Sequence, residues 1–179
     1  DIFGGKFTGG SVTGKGGGGA IALEDNSSTL NIYGGEISGN NGNGKGGAIY
    51  TKSGGTINMY GGRIAQNKAY RGGGLCLNGS GTLNMYGGLI ENNSSTASWD
   101  TIPANSGNVY VAANAVMNAN AGVVRGGGYA VFNLGTIQTD DANYPATIFY
   151  SGLYNMGGVV KGGMYYGSYM SAGGSLGGC

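Results

Sequence analysis

The sequence predicts an all-β solenoid, a parallel β-helix with about 27 residues per coil and three short strands in each. Three observations predict it. One string recurs four times: DIFGGKFTGG at 1–10, TLNIYGGEISGN at 29–40, TINMYGGRIAQN at 56–67 and TLNMYGGLIENN at 82–93. Its aromatics Phe3, Tyr33, Tyr60 and Tyr86 step by 30, 27 and 26 residues. A second string alternates with the first, as GGGGAIAL at 16–23, GKGGAIYT at 44–51 and RGGGLCLN at 71–78. A fixed period of this size marks stacked copies of one supersecondary unit, each touching only its neighbours. The composition fits no simpler class. There are 43 Gly in 179 residues, but 13 Tyr, 4 Phe and regular Ile, Leu and Val fall at fixed places between the Gly pairs. Disordered chains are poor in such residues, and collagen needs Gly at every third position.

The unit at 29–55 shows how one coil is built. In Thr29-Leu30-Asn31-Ile32-Tyr33, apolar and other residues alternate, which is strand periodicity with Leu30 and Ile32 inward. Gly34 and Gly35 break that strand. Glu36-Ile37-Ser38 is a short second strand that offers Ile37 to the interior. The stretch GNNGNGKGG at 39–47 reads as turn chemistry throughout, since Asn and Gly both tolerate left-handed backbone. Residues 48–51, AIYT, form the third strand, and KSGG at 52–55 the third corner. A helical solenoid is excluded because Gly pairs at every corner penalise helix repeatedly. A leucine-rich repeat would need a Leu-x-x-Leu-x-Leu frame, which is absent. An antiparallel sandwich would not require equivalent residues to recur at one spacing.

Coils stacked about 4.8 Å apart place like on like. Leu30, Ile57 and Leu83 then form one internal column, Ile32, Met59 and Met85 a second, and Ile37, Ile64 and Ile90 a third. Each buried aliphatic contributes about 1.5–3 kcal/mol against the ordering entropy of the glycines. In the third strand Ile21, Ile49 and Cys76 are expected inward, although Leu75 and Leu77 favour the opposite phase in their coil. Outward ladders follow: Thr29, Thr56 and Thr82; Asn31, Asn58 and Asn84; and Tyr33, Tyr60 and Tyr86 with Phe3 below. Asn40, Asn67 and Asn93 recur at one corner as a structural ladder for turn backbone groups. The Phe3, Tyr33, Tyr60, Tyr86 and Asn31, Asn58, Asn84 columns are the candidate contact surface. On this reading Tyr60→Ala would barely disturb the coil.

The pairing of Ile-x-x-Asn with Gly-Gly-Ala-Ile resembles the repeats of polymorphic membrane proteins and related bacterial surface adhesins. The second motif stands at Gly18–Ile21 and Gly46–Ile49, and as GGLC at Gly73–Cys76. The first stands as ISGN at 37–40, IAQN at 64–67 and IENN at 90–93, with Ile where that family has Phe. The resemblance covers roughly residues 1–112. It implies a right-handed parallel β-helix, located on or outside a cell surface, with adhesive or structural duty.

Residues 1–93 carry the regular coils. SSTASWDTIPAN at 94–105 interrupts the period and is expected to protrude as a loop. Residues 106–138 hold degenerate coils, with SGNVYVAA restarting the pattern. Residues 139–179 read as an irregular Tyr- and Gly-rich coil, a cap or a subunit contact, with Tyr165, Tyr166, Tyr169 and Cys179 as the candidate assembly surface.

Net charge is +1 without a Lys/Arg cluster, so no nucleic-acid partner is expected. No apolar run reaches about 18 residues, so no membrane span is expected. The chain opens at Asp1 without a signal peptide, leaving open a processed mature chain or an expressed fragment. Two cysteines are too few for a disulfide framework. Cys179 is a frayed thiol, an intermolecular cross-link or a cloning remnant. With no His, Ser-His-Asp, Cys-His and His-metal constellations are impossible. Glu36 and Glu91, the carboxylates nearest to an aligned pair, are not expected to converge as a glycosidase pair would. Asp140-Asp141 reads as a solvated turn, and no cofactor or metal is expected. The favoured function is a secreted structural protein, not an enzyme, whose solenoid assembles end to end into a fibre or surface layer. The alternative is an adhesin or carbohydrate-binding module that uses the Tyr ladder on glycans or a host surface. Ice binding through the Thr–Asn–Tyr face is a third reading, opposed by the bulk of the Tyr side chains.

Overall fold

A computed structural model of the chain describes residues 1–14, 16–97, 107–126, 128–139, 148–150, 152–161, 164–165, 169–171 and 175–177. The described residues form an all-β solenoid without a helix. Every strand pairing is parallel, in sheets of 12, seven and three strands. One coil starts at Thr29–Ile32, turns at Gly34-Gly35 and continues as Glu36–Ser38 on the 12-stranded sheet. It returns through Ile49–Thr51 on the seven-stranded sheet, and Thr56–Met59 then lies directly over Thr29–Ile32.

The expected interior columns are all present. Leu30 pairs in register with Ile57, and Ile57 with Leu83; Ile32 pairs with Met59, and Met59 with Met85. Ile37, Ile64 and Ile90 follow the same rule. All nine are buried. Stacking makes this economical, since each inward side chain packs on its counterparts above and below and needs no second layer of structure.

The Gly-Gly corner has two separate causes. A Cβ on Gly61 would lie 2.6 Å from the carbonyl oxygen of Tyr33, so the first glycine allows the rung below to approach. Gly62 has φ +81°, a left-handed conformation that side chains resist.

Three expectations are corrected. The stretch at 39–47 is not turn throughout, because Asn41–Lys45 is a strand that pairs with Lys68–Arg71, itself paired with Ser94–Ser95. A register shift between Asn41 and Asn43, with Asn43 at φ 49°, absorbs the irregular sequence. The backbone of the next coil supplies the hydrogen bonds and overrides weak strand propensity. The regular coils therefore have a fourth strand beside the three expected ones.

The second correction concerns Cys76. Its register partners are Tyr50 and Tyr110, whereas Leu75 aligns with Ile49 and Val109, and Leu77 with Thr51 and Val111. Leu75 and Leu77 point inward and Cys76 outward. It is still fully buried, in a second apolar cluster with Tyr50, Ala97, Tyr110 and Phe132 on the outer side of the seven-stranded sheet.

The third correction is the start of the 94–105 loop. Ser94–Ser95 is paired strand and Ala97 is 1% exposed; the rest of that segment lies outside the described residues. The pattern then resumes through Val109–Val111, Val116–Arg125, Val131–Asn133 and Thr136–Gln138. Among the described residues parallel pairing continues to Ser175–Gly177, which lies beside Val159–Lys161. Of the candidate assembly residues, Tyr165 and Tyr169 stand in register with Phe149 and Leu153. Tyr166 and Cys179 lie outside the described residues, as do Asp140 and Asp141.

Candidate functional site

The outward positions of Thr29–Ile32, Thr56–Met59 and the lower half of Thr82–Glu91 form one face of parallel columns. Columns lie two residues apart along a strand, about 6.8 Å, and rungs about 4.8 Å apart. Thr29 is exposed, and Thr56 and Thr82 are half-buried.

The aromatic column is a continuous stack. Ring centroids lie 4.9 Å apart for Phe3–Tyr33, 5.0 Å for Tyr33–Tyr60 and 5.1 Å for Tyr60–Tyr86, with interplanar angles of 6°, 5° and 12°. The rings are therefore face to face with each other and turn only their edges toward solvent. Exposure falls from 75% at Phe3 to 45% at Tyr33 and Tyr60. A sugar lying along this column would meet ring edges and phenolic hydroxyls, not open faces, which limits the column as a stacking platform.

The amide column is a polarised chain of hydrogen bonds. Each Nδ2 donates to the rung below: Asn31 to Asp1 Oδ1 at 2.7 Å, Asn58 to Asn31 at 2.8 Å and Asn84 to Asn58 at 2.8 Å. The sequence reading stopped at Asn84. The structure adds Asn118, which donates to Asn84 at 2.6 Å, and Gln138, which donates to Asn118 at 2.8 Å. Both were legible as outward positions of degenerate coils. The irregular spacing after residue 93 hid them.

The corner ladder is buried and also longer than expected. Asn67 Oδ1 accepts from the backbone N–H and the Nδ2 of Asn40, each at 2.9 Å, and Asn93 Oδ1 does the same for Asn67. Asn108 extends the series by accepting from Asn93, and it donates to the Arg125 and Gly126 carbonyls. The residue before each of the first three asparagines, Gly39, Gln66 and Asn92, has positive φ. The tight corner aims the next side chain into the wall of the solenoid. This ladder holds backbone in place and offers nothing to solvent.

Beyond the Gly-Gly corner, charges alternate. Lys6 contacts Glu36 at 3.3 Å, Arg63 contacts Glu36 at 3.4 Å and Glu91 at 2.7 Å, and Arg125 contacts Glu91 at 2.8 Å. Glu36 and Glu91 therefore share Arg63 as a counter-charge, a link the sequence reading did not include. The long Arg63 side chain spans the offset that separates their register positions. Donation from Arg63 and then Arg125 holds the buried Glu91 carboxyl below its ordinary pKa. The Ser38 hydroxyl, and then Lys6, do the same for Glu36. Two carboxylates held ionised in this way are poorly suited to donate a proton at neutral pH.

A second aromatic ladder, which the sequence reading missed, runs along the outer side of the seven-stranded sheet. Tyr110 and Phe132 stack at 5.4 Å, and Phe132 and Tyr154 at 5.3 Å. The signal was present, since each follows an inward aliphatic: Val109, Val131 and Leu153. No group of three or more Cys, Asp or Glu that could hold a metal occurs among the described residues, and no helix there is long and apolar enough to cross a membrane. No family model, curated protein or solved structure matches the chain.

Proposed function

We propose that this chain is a structural element of an extracellular or cell-surface assembly, a stiff solenoid rod whose copies stack end to end into a fibre or layer. The observation that carries the reading is the polar sense of the outer amide column. In that column Gln138, Asn118, Asn84, Asn58 and Asn31 each donate toward the N-terminal coil, ending on Asp1. A second copy could extend such a column only in the same direction. Contacts of that kind are head to tail, and when the rotation does not close they generate filaments.

The state of the side chains supports a structural role over catalysis. Aromatic faces, corner amides and the charged column are engaged with the rungs above and below. The surface location rests on the resemblance of the Ile-x-x-Asn and Gly-Gly-Ala-Ile repeats to bacterial surface proteins.

Negative-stain electron microscopy and sedimentation velocity across a concentration series test the proposal. Filaments are expected for the parent chain, and short or monomeric species for Phe3→Glu. That substitution places a carboxylate at the most exposed ring of the stack, where the fold has little to lose. A parent chain that stays monomeric at all concentrations would refute the assembly reading.

A further inference from the structure

We propose that Asn26 is an acceptor for an N-linked glycan. Asn26, Asn78, Asn92 and Asn93 each begin the Asn-x-Ser pattern that such glycosylation requires. Asn26 and Asn93 also have a carboxylate two residues earlier, Glu24 and Glu91, in the strings EDNSS at 24–28 and ENNSS at 91–95. Bacterial oligosaccharyltransferases ask for that acidic residue as well. The two strings are equivalent in sequence and opposite in structure.

Asn93 is fully buried in the corner ladder, where its Nδ2 donates to the Ile64 carbonyl at 3.0 Å and to Asn108 at 2.9 Å. Glu91 is held by Arg63 and Arg125. Asn92 is exposed, but the two residues after it are fixed, Asn93 in the ladder and Ser94 in a strand paired with Lys68–Arg71. Asn78 Nδ2 donates to the Lys52 carbonyl at 2.7 Å. An acceptor amide must give up such bonds before it can react, and each buried group left unpaired costs about 1–3 kcal/mol.

Asn26 differs on every count. It lies on the corner between Ile21–Leu23 and Thr29–Ile32, and Glu24, Asp25, Asn26 and Ser27 are all exposed. Register pairing makes residues 24–28 the counterpart of 52–55 and 78–81, so this corner has one residue more than those above it. Among the described residues no hydrogen bond engages the Asn26 side chain. Its Oδ1 rests against Gly54 of the next rung, where any larger residue would collide with it. The Ser27 and Ser28 hydroxyls donate to Asp25 Oδ1 at 2.8 and 3.0 Å, in exposed bonds that water can replace. The Ser28 hydroxyl is thereby available to a transferase.

The co-substrate is an oligosaccharide carried on a polyprenyl pyrophosphate. Asn26 Nδ2 attacks the anomeric carbon, and the new C–N bond forms as the bond from that carbon to the pyrophosphate oxygen breaks. The lipid pyrophosphate departs with the electron pair, and a base of the transferase takes one amide proton.

The test incubates the purified full chain with a bacterial single-subunit oligosaccharyltransferase and its polyprenyl-pyrophosphate-linked oligosaccharide, with a known acceptor peptide as the control for enzyme activity. Intact mass should rise by one glycan, and tandem mass spectrometry should place it on Asn26. Asn26→Gln and Ser28→Ala should each lose the added mass, and Ser28→Thr should keep it. Glu24→Gln should lose it as well while the chain stays folded, because the ion pair it removes, with Lys52, is exposed. No added mass on the folded parent chain, a glycan on Asn78, Asn92 or Asn93 instead, or added mass that persists in Asn26→Gln would each overturn the proposal. The reaction is read on the purified chain, so it depends on neither the rod nor the surface location.

Discussion

Asn67 shows how much one side chain can hold. Its Oδ1 accepts twice from Asn40, and its Nδ2 donates to the Ile37 carbonyl and to Asn93, all within a wall that excludes water. Asn67→Ala leaves a buried N–H and a buried carbonyl without partners, each costing about 1–3 kcal/mol. Urea denaturation should show a loss of about 3 kcal/mol, well above that of Asn31→Ala on the outer face. Tyr60 is held differently, between two rings at 5.0 and 5.1 Å. Tyr60→Ala removes both contacts and should cost about 1–3 kcal/mol in the same measurement, more than the nearly silent change the sequence alone suggested. Cys76 is fully buried, and burial pushes its thiol up to about 12. At pH 8 the native protein should leave the Cys76 peptide unlabelled by iodoacetamide, with labelling appearing only on unfolding.

At the level of elements, the charged column links the Lys6–Thr8, Glu36–Ser38 and Arg63–Ala65 strands with the ends of Thr82–Glu91 and Val116–Arg125. Its pH dependence follows from Glu91. The folded pKa lies below the unfolded value, so the unfolded state binds a proton first as pH falls. The stabilisation is complete above the ordinary carboxylate pKa and is lost as pH drops through the lower, folded value. Melting temperature should therefore be flat near neutrality and fall in acid, and Glu91→Gln should flatten part of that acid limb. At neutral pH the same variant should lose about 1–2 kcal/mol, a moderate figure because Arg63 and Arg125 keep 35% and 52% of their side-chain surface exposed. The fourth strand, Asn41–Lys45, belongs to the same scale. Residues read alone as a turn become strand because Lys68–Arg71 lies alongside.

For the molecule as a whole, each coil contacts only its neighbours, so stability is close to a sum of rungs and their interfaces. A core truncation at a central rung should then do more than one at an outer rung. Ile64→Ala, with partners above and below at Ile90 and Ile37, should lower stability by about 2–5 kcal/mol. It should also increase hydrogen exchange in the rungs on both sides. Uniform exchange across all rungs would contradict a quasi-one-dimensional account.

Much of this architecture was present in the sequence because like residues stack on like. A period of 26 to 30 residues, read from Phe3, Tyr33, Tyr60 and Tyr86, gives the rung spacing, the inward columns and the outward ladders together. Those properties depend on local alternation and repetition, which a sequence records directly. The phase of Cys76, the strand at Asn41–Lys45 and the meeting of Glu36 and Glu91 on Arg63 depended on tertiary structure. Each arises where the repeat is imperfect, and register is then set by the backbone hydrogen bonds of the adjacent coil and by how far a long side chain can reach. The ring-over-ring geometry of the tyrosines belongs with them: the sequence placed the column, while the stacking distance decided that the rings face each other and turn their edges to the solvent.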